Sequence, residues 1–182
     1  MDPVELRTDR LLLRSWAPGD EDVLVRGNHD PLITRWTRVP EGYTREHAVA
    51  RLADVREGWD AGDRLAWAVC DATTGEVLAA LDLRHLADDT WDVGFLCYAW
   101  ARGRGVVAEA TRAGAAWAFA TLGASRVEWR AIVGNERSRR AADKAGFVHE
   151  GTLRGRHAAR PDGSHPDTWV ASLVPADLVG AG

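Results

Sequence analysis

The chain has 182 residues, 46% apolar and 27% charged, enough to bury one substantial core and too few for a second domain, so residues 1–182 are expected to form one domain. No run reaches the roughly 18 apolar residues of a membrane span, and Met1-Asp2-Pro3 lacks the basic and apolar regions of a secretory signal, so a cytoplasmic protein without membrane contact is expected. The net charge of −4 conceals a basic stretch, since residues 126–160 carry nine Arg and Lys against four acids; this suits a polyanionic ligand, and the scarcity of interleaved surface aromatics argues against nucleic acid.

Leu11-Leu12-Leu13 within Glu5 to Trp16 reads as a first strand, and Pro18-Gly19-Asp20 opens a short helix toward Asn28. A loop with Pro31 and Pro40 follows. Thr44 is an N-cap, with His47 where the full capping box would have Glu or Gln, for a helix to about Ala61. Leu65 to Cys70 and Val77 to Leu86 are strands joined through the turn signal Thr73-Thr74-Gly75, and Trp91 to Tyr98 adds a third antiparallel strand. Val106 to Leu122 is a helix with Val106, Ala110, Ala113, Trp117 and Thr121 on one stripe and Gly123 after its end. Val127 to Val133 is a strand, Ser138 to Ala145 a short helix stopped by Gly146, and Phe147 to Leu153 another strand. Gly155 to Pro166 is a loop before the last strand, Thr168 to Val174. A meander followed by alternating strands and helices predicts a mixed α/β (α+β) sheet with helices on both faces.

The strongest local signal is Arg102-Gly103-Arg104-Gly105-Val106-Val107, between a strand and the start of a long helix. Glycines let successive N–H groups point inward, and the helix N-terminus adds free donors and partial positive charge, a site for a pyrophosphate. Gly103-x-Gly105-x-x-Ala108 also fits a dinucleotide fingerprint, with Glu128 standing 20 residues beyond Ala108. That fingerprint belongs to a first βαβ unit with parallel strands, whereas an antiparallel meander precedes it here. A dinucleotide enzyme is therefore the weaker reading, and a tight turn for helix–strand packing is a third.

Taken together, Val93-Gly94-Phe95-Leu96-Cys97, Arg102-Gly103-Arg104-Gly105, Asn135-Glu136-Arg137-Ser138, Lys144-Ala145-Gly146-Phe147 and Ser172-Leu173, in this order, resemble the GNAT superfamily of N-acetyltransferases. The resemblance extends from Leu6 to the last strand and is nearest the branch of ribosomal-protein N-terminal (alanine/serine) acetyltransferases. It implies a mostly antiparallel sheet and acetyl transfer from acetyl-CoA to a primary amine, a protein N-terminus or a small molecule, by direct attack in a ternary complex. Phe95, Leu96 and Cys97 would align the pantetheine arm, and Arg102, Gly103, Arg104, Gly105, Val106 and Val107 would take the pyrophosphate. Val107 stands where the family usually has a small residue. Asn135 would meet the pantetheine amides, Ser138 would give the departing thiolate a proton or a hydrogen bond, and Arg137, Arg139 or Arg140 would meet the ribose phosphate. Asp92 is the first expected base and His85 the second; a solvated acid or an arginine partner is the other reading of Asp92. A CoA-binding domain without catalysis is the remaining alternative.

Cys70 and Cys97 lie in apolar runs and read as buried thiols, with Cys97 as a nucleophile the weaker alternative. His157 and His165 share a loop without a third ligand, so no metal is expected. Trp36 and Trp59 are candidate pocket walls. The acceptor stays open: Arg154, Arg156 and Arg160 would draw an acidic one, and the acidic remainder of the chain a cationic one. Dimers are common among proteins of this resemblance, and no feature of the sequence specifies one.

Overall fold

In the computed structural model, which describes residues 1–158 and 163–179, the chain folds as an eight-stranded sheet among the described residues. The strands are β1 (Leu6–Arg7), β2 (Leu11–Ser15), β3 (Arg64–Asp71), β4 (Val77–Ala87), β5 (Thr90–Cys97), β6 (Arg126–Ile132), β7 (Val148–Leu153) and β8 (Thr168–Leu173). Their spatial order is β1-β2-β3-β4-β5-β6-β8-β7. All pairs are antiparallel except β5 with β6. The helices are α1 (Glu21–Asn28), α2 (Pro31–Trp36), α3 (Arg45–Ala61), α4 (Val106–Thr121), α5 (Glu136–Ala145) and α6 (Pro175–Val179).

Strand alternation shows how the layers form. Leu81 and Asp82 are neighbours on β4 and point to opposite faces. Leu81 presses on Gly114 of α4, where a Cβ would come within 2.8 Å of it. Asp82 accepts two hydrogen bonds from Arg51 of α3, both at 2.7 Å. Helices therefore cover both faces, as predicted, and Leu13, Leu65, Trp67, Val69 and Leu83 are fully enclosed in the core.

Several predicted elements differ in detail. The first strand is broken into β1 and β2, because Thr8 Oγ1 accepts from Leu11 N–H at 2.9 Å and turns the chain. The predicted loop with Pro31 contains α2: Asp30 caps it by accepting from Leu32 N–H at 2.8 Å, and Pro31 sits in its first turn, where a missing N–H costs nothing. His47 replaces the usual acid of a capping box, its Nδ1 accepting from Thr44 N–H at 3.0 Å. On α4 the buried face runs through Val107, Thr111, Gly114 and Ala118 beside Val106, Ala110 and Ala115, whereas Thr121 of the predicted stripe is exposed. Among the described residues no helix is long and apolar enough to cross a membrane.

Candidate active site

The site begins where β5 and β6 part. Their parallel pairing covers Thr90–Val93 against Arg126–Trp129 and stops there. β5 continues along β4 to Cys97, and β6 continues along β8 to Ile132, so a wedge opens between them. Tyr98 N–H donates to the Leu78 carbonyl at 3.1 Å. Antiparallel alternation then turns Leu96 and Gly94 toward β4 and the N–H and C=O of Phe95 and Cys97 toward the wedge. A cleft of about 1920 Å³ occupies this space, lined by Phe95, Leu96 and Cys97, by Arg102, Gly103, Gly105, Val106 and Val107, and by Asn135 and Ser138.

At one end of the cleft the glycine loop meets α4. Gly105 is the N-cap of α4 at φ 76°, a left-handed conformation that lets the first turn's N–H groups face the cleft. Arg102 lines the cleft and is ion-paired with Asp30 at 2.5 Å, which joins this loop to the cap of α2. Arg104 is absent from the lining: its side chain turns back to Asp71 at 3.6 Å, and its carbonyl accepts from Arg10 Nη1 at 3.3 Å. Charge in the sequence marked the loop without revealing from which side of it each side chain leaves.

On the opposite wall Asn135 Oδ1 accepts from Ser138 N–H at 3.3 Å and caps α5. Ser138 Oγ accepts from Trp129 Nε1 at 3.1 Å, which leaves its own O–H free to donate. Trp36, at the end of α2, lies over the β6–α5 turn, where a Cβ on Gly134 would come 3.8 Å from its ring. Trp36 lines the cleft. Trp59 does not: it is 1% exposed in the core, donating from Nε1 to the Ala66 carbonyl at 3.2 Å.

Asp92 lines the cleft one residue before the wedge opens and is ion-paired with Arg84, directly across on β4, at 2.7 Å. Burial pushes its carboxyl up, and Arg84 and then Arg130 pull it back, burial being the larger effect. His85 also lines the cleft, with Nε2 2.7 Å from the Asp88 carbonyl oxygen. Cys97 is half-buried rather than enclosed, and burial pushes its thiol up against the opposing pull of Arg102 and Arg104. His165 Nδ1 lies 3.1 Å from the His157 carbonyl oxygen, and no group of three or more His, Cys, Asp or Glu among the described residues could hold a metal ion. Arg160 lies outside the described residues. Sequence reasoning missed the Arg51–Asp82 pair and foresaw an arginine partner for Asp92 without naming it; opposite charges facing each other across a hairpin were the available signal for Arg84.

Solved structures share this arrangement over nearly the whole chain. RimJ of Mycobacterium smegmatis, solved in complex with CoA-disulfide, superposes with a TM-score of 0.81 at 18% identity, covering 97% of this chain and 88% of that one. The ribosomal-protein-S5-alanine acetyltransferase of Vibrio fischeri gives 0.79 at 18% identity, covering 96% and 98%. A protein of T. thermophilus, provisionally described as an acetyltransferase, gives 0.81 at 26% identity, covering 99% and 94%. No curated protein matches the chain. Residues 10–148 match the acetyltransferase (GNAT) domain family, whose members draw the acetyl group from acetyl-CoA. With that match over most of its length and the parted-strand cleft to go with it, the chain belongs to the GNAT family and is an N-acetyltransferase.

Proposed function

We propose that this acetyltransferase modifies a protein N-terminal α-amine. The observation that carries the reading is that every carboxylate lining the cleft among the described residues, Asp54, Asp82 and Asp92, is ion-paired, so none stands free to take a proton without competing with a guanidinium. An α-amine, with a pKa of about 7.7–8.0, is partly neutral near neutral pH, whereas a lysine at about 10.4 is almost wholly charged and needs stronger help. The Vibrio fischeri neighbour, a ribosomal-protein-S5-alanine acetyltransferase, points the same way at 18% identity.

Acetyl-CoA supplies an acetyl group activated as a thioester. Gly103, Gly105, Val106 and Val107 present backbone donors at the start of α4 for its pyrophosphate, with Arg102 beside them. Val107 is buried and fills this corner. Phe95 and Cys97 offer free N–H groups to the pantetheine arm, with Leu96 between them, and one of these donors polarises the thioester carbonyl. Asn135 keeps its Nδ2 for a pantetheine amide, because its Oδ1 is used in the cap. Ser138, its oxygen satisfied by Trp129, offers its O–H as a hydrogen bond to the departing thiolate, which takes its proton from solvent. Asp92 takes the amine proton, directly or through water.

A thermal-shift titration with acetyl-CoA, CoA and NAD tests the donor site, since a ligand at a hundred times its Kd stabilises by about 2.7 kcal/mol. Both CoA species are expected to shift the melt and NAD to leave it unchanged. Thiol release is then followed with a peptide bearing a free α-amine, the same peptide N-acetylated but carrying a lysine, and a polyamine. Turnover of the first alone supports the reading; turnover of the polyamine or the lysine peptide alone overturns it.

A further inference from the structure

We propose that the acceptor is acidic: the amine is followed by carboxylate side chains that pair with Arg38 and Arg156, two cations that line the cleft from segments other than α5. The inference deepens the α-amine reading above and rests on it for the form of the substrate. Its ground is the distribution of paired and unpaired charge around one cavity. Asp54 is held by Arg64 and by Arg51 at 3.2 Å, Asp82 by Arg51 at 2.7 Å, and Asp92 by Arg84 at 2.7 Å. No unpaired carboxylate among the described residues lines the cleft, so a polycationic acceptor would find no counter-charge there.

The cations are distributed otherwise. Arg38, on the connection between α2 and α3, and Arg156, on the loop between β7 and β8, both line the cleft, are exposed and have no ion pair among the described residues. Two segments far apart in sequence thus bring a free guanidinium each to the same cavity. Arg156 is set in a braced neck: Gly155 N–H donates to Asp167 Oδ1 at 2.8 Å and His157 N–H to the Pro166 carbonyl at 3.1 Å. Arg137, Arg140 and Lys144 also line the cleft without an ion pair among the described residues, but they stand on α5 with Ser138, beyond its cap Asn135, on the donor side. A guanidinium fork binds a carboxylate through two parallel hydrogen bonds, and a field of one sign concentrates oppositely charged substrates.

Three peptides with the same free N-terminal residue test this, followed by Asp and Glu, by Gln, or by Lys and Arg. For the wild-type enzyme kcat/KM is expected to favour the acidic peptide over the neutral one by about tenfold and over the basic one by more, chiefly through KM, with the spread shrinking as salt rises. The double variant Arg38→Glu and Arg156→Glu is expected to invert the ranking. An unchanged thermal shift with acetyl-CoA shows that its fold and donor site are intact. A flat or basic-first ranking in the wild type, or a ranking that survives charge reversal, overturns the proposal. If no peptide reacts, the α-amine reading has failed, and the same ranking is taken with an aminodicarboxylate, its amide and a polyamine: acidic first upholds the charge assignment and any other order overturns it.

Discussion

Asp92 and Arg84 face each other across β4 and β5, and their opposed influences give the proposed base a pH signature. Burial raises the Asp92 carboxyl and Arg84 is the leading group that lowers it again. Replacing Arg84 by Met removes that pull and leaves the burial, so the Asp92 pKa moves further up. The ionised carboxylate is the base and exists above its pKa, so the acid limb of kcat is expected to move to higher pH in Arg84→Met. A kcat–pH profile of both proteins checks this, kcat being the quantity that reports groups in the ternary complex. An acid limb that stays in place would remove Asp92 from the role. At this scale the sequence was informative where a residue's role follows from its neighbours in the chain. Asn135 and Ser138 stand at a strand-to-helix junction, where cap and cleft wall coincide. It was silent where a role depends on direction: Arg104 and Arg102 flank the same glycine, yet one turns to Asp71 and the other lines the cleft. Trp36 and Trp59 likewise look equivalent until one is found over Gly134 and the other inside the core.

Short elements carry much of the site's shape. α2 is tied at its cap to the glycine loop through Asp30 and Arg102, and at its end it rests on the β6–α5 turn through Trp36, so it bridges the two walls of the cleft. This helix escaped prediction because Pro31 and Pro40 were weighed as breakers; Asp30 followed by Pro31 is equally a helix start, and six residues offer too little periodicity to decide. The stripe on α4 was drawn incompletely for a related reason: Val106 and Ala110 are buried and Trp117 packs on Trp67, but alanines and glycine carry little hydrophobic contrast, so the buried face through Thr111 and Gly114, which meets Leu81, escaped it and Thr121 is exposed. α1 shows the same economy of space. At Gly27 a Cβ would stand 2.1 Å from Cε1 of the Tyr98 ring, which itself stacks on Trp100 with centroids 4.8 Å apart. Gly27→Ala must therefore displace either α1 or a fully enclosed aromatic side chain, and overpacking of this kind costs about 3 kcal/mol. Urea unfolding is expected to show that loss with an unchanged m-value, whereas a midpoint within error of the wild type would mean that α1 yields freely.

The order of the strands could not be read from the sequence, because β8 enters between β6 and β7 and pairs with both, a contact that no local pattern specifies. The meander β3-β4-β5, by contrast, follows from short turns such as Thr73-Thr74-Gly75 and was legible. The wedge needs both halves to hold their places while β5 and β6 part, and the second half is fastened by a polar clasp across three strands. Arg126 of β6 reaches over β8 to pair with Glu150 of β7, and Ser172 of β8 donates to the same carboxylate at 2.8 Å. The hydrogen bonds from Arg126, more than its charge at a distance, draw the Glu150 carboxyl from its ordinary 4.5 down to about 2. A carboxyl depressed on folding contributes stability above its unfolded pKa and loses it as pH falls through the folded one. Glu150→Gln is therefore expected to be less stable than the wild type at pH 7. The difference should narrow as pH falls from 4.5 toward 2, where the wild-type carboxyl is itself protonated. Because the clasp is partly open to water, the loss is modest and falls with salt. Urea midpoints of the two proteins at pH 7 and pH 3, in low and high salt, measure it directly. A difference that is absent at pH 7, or that stays constant down to pH 3, would show that the three strands are held by their backbone ladder and apolar packing alone.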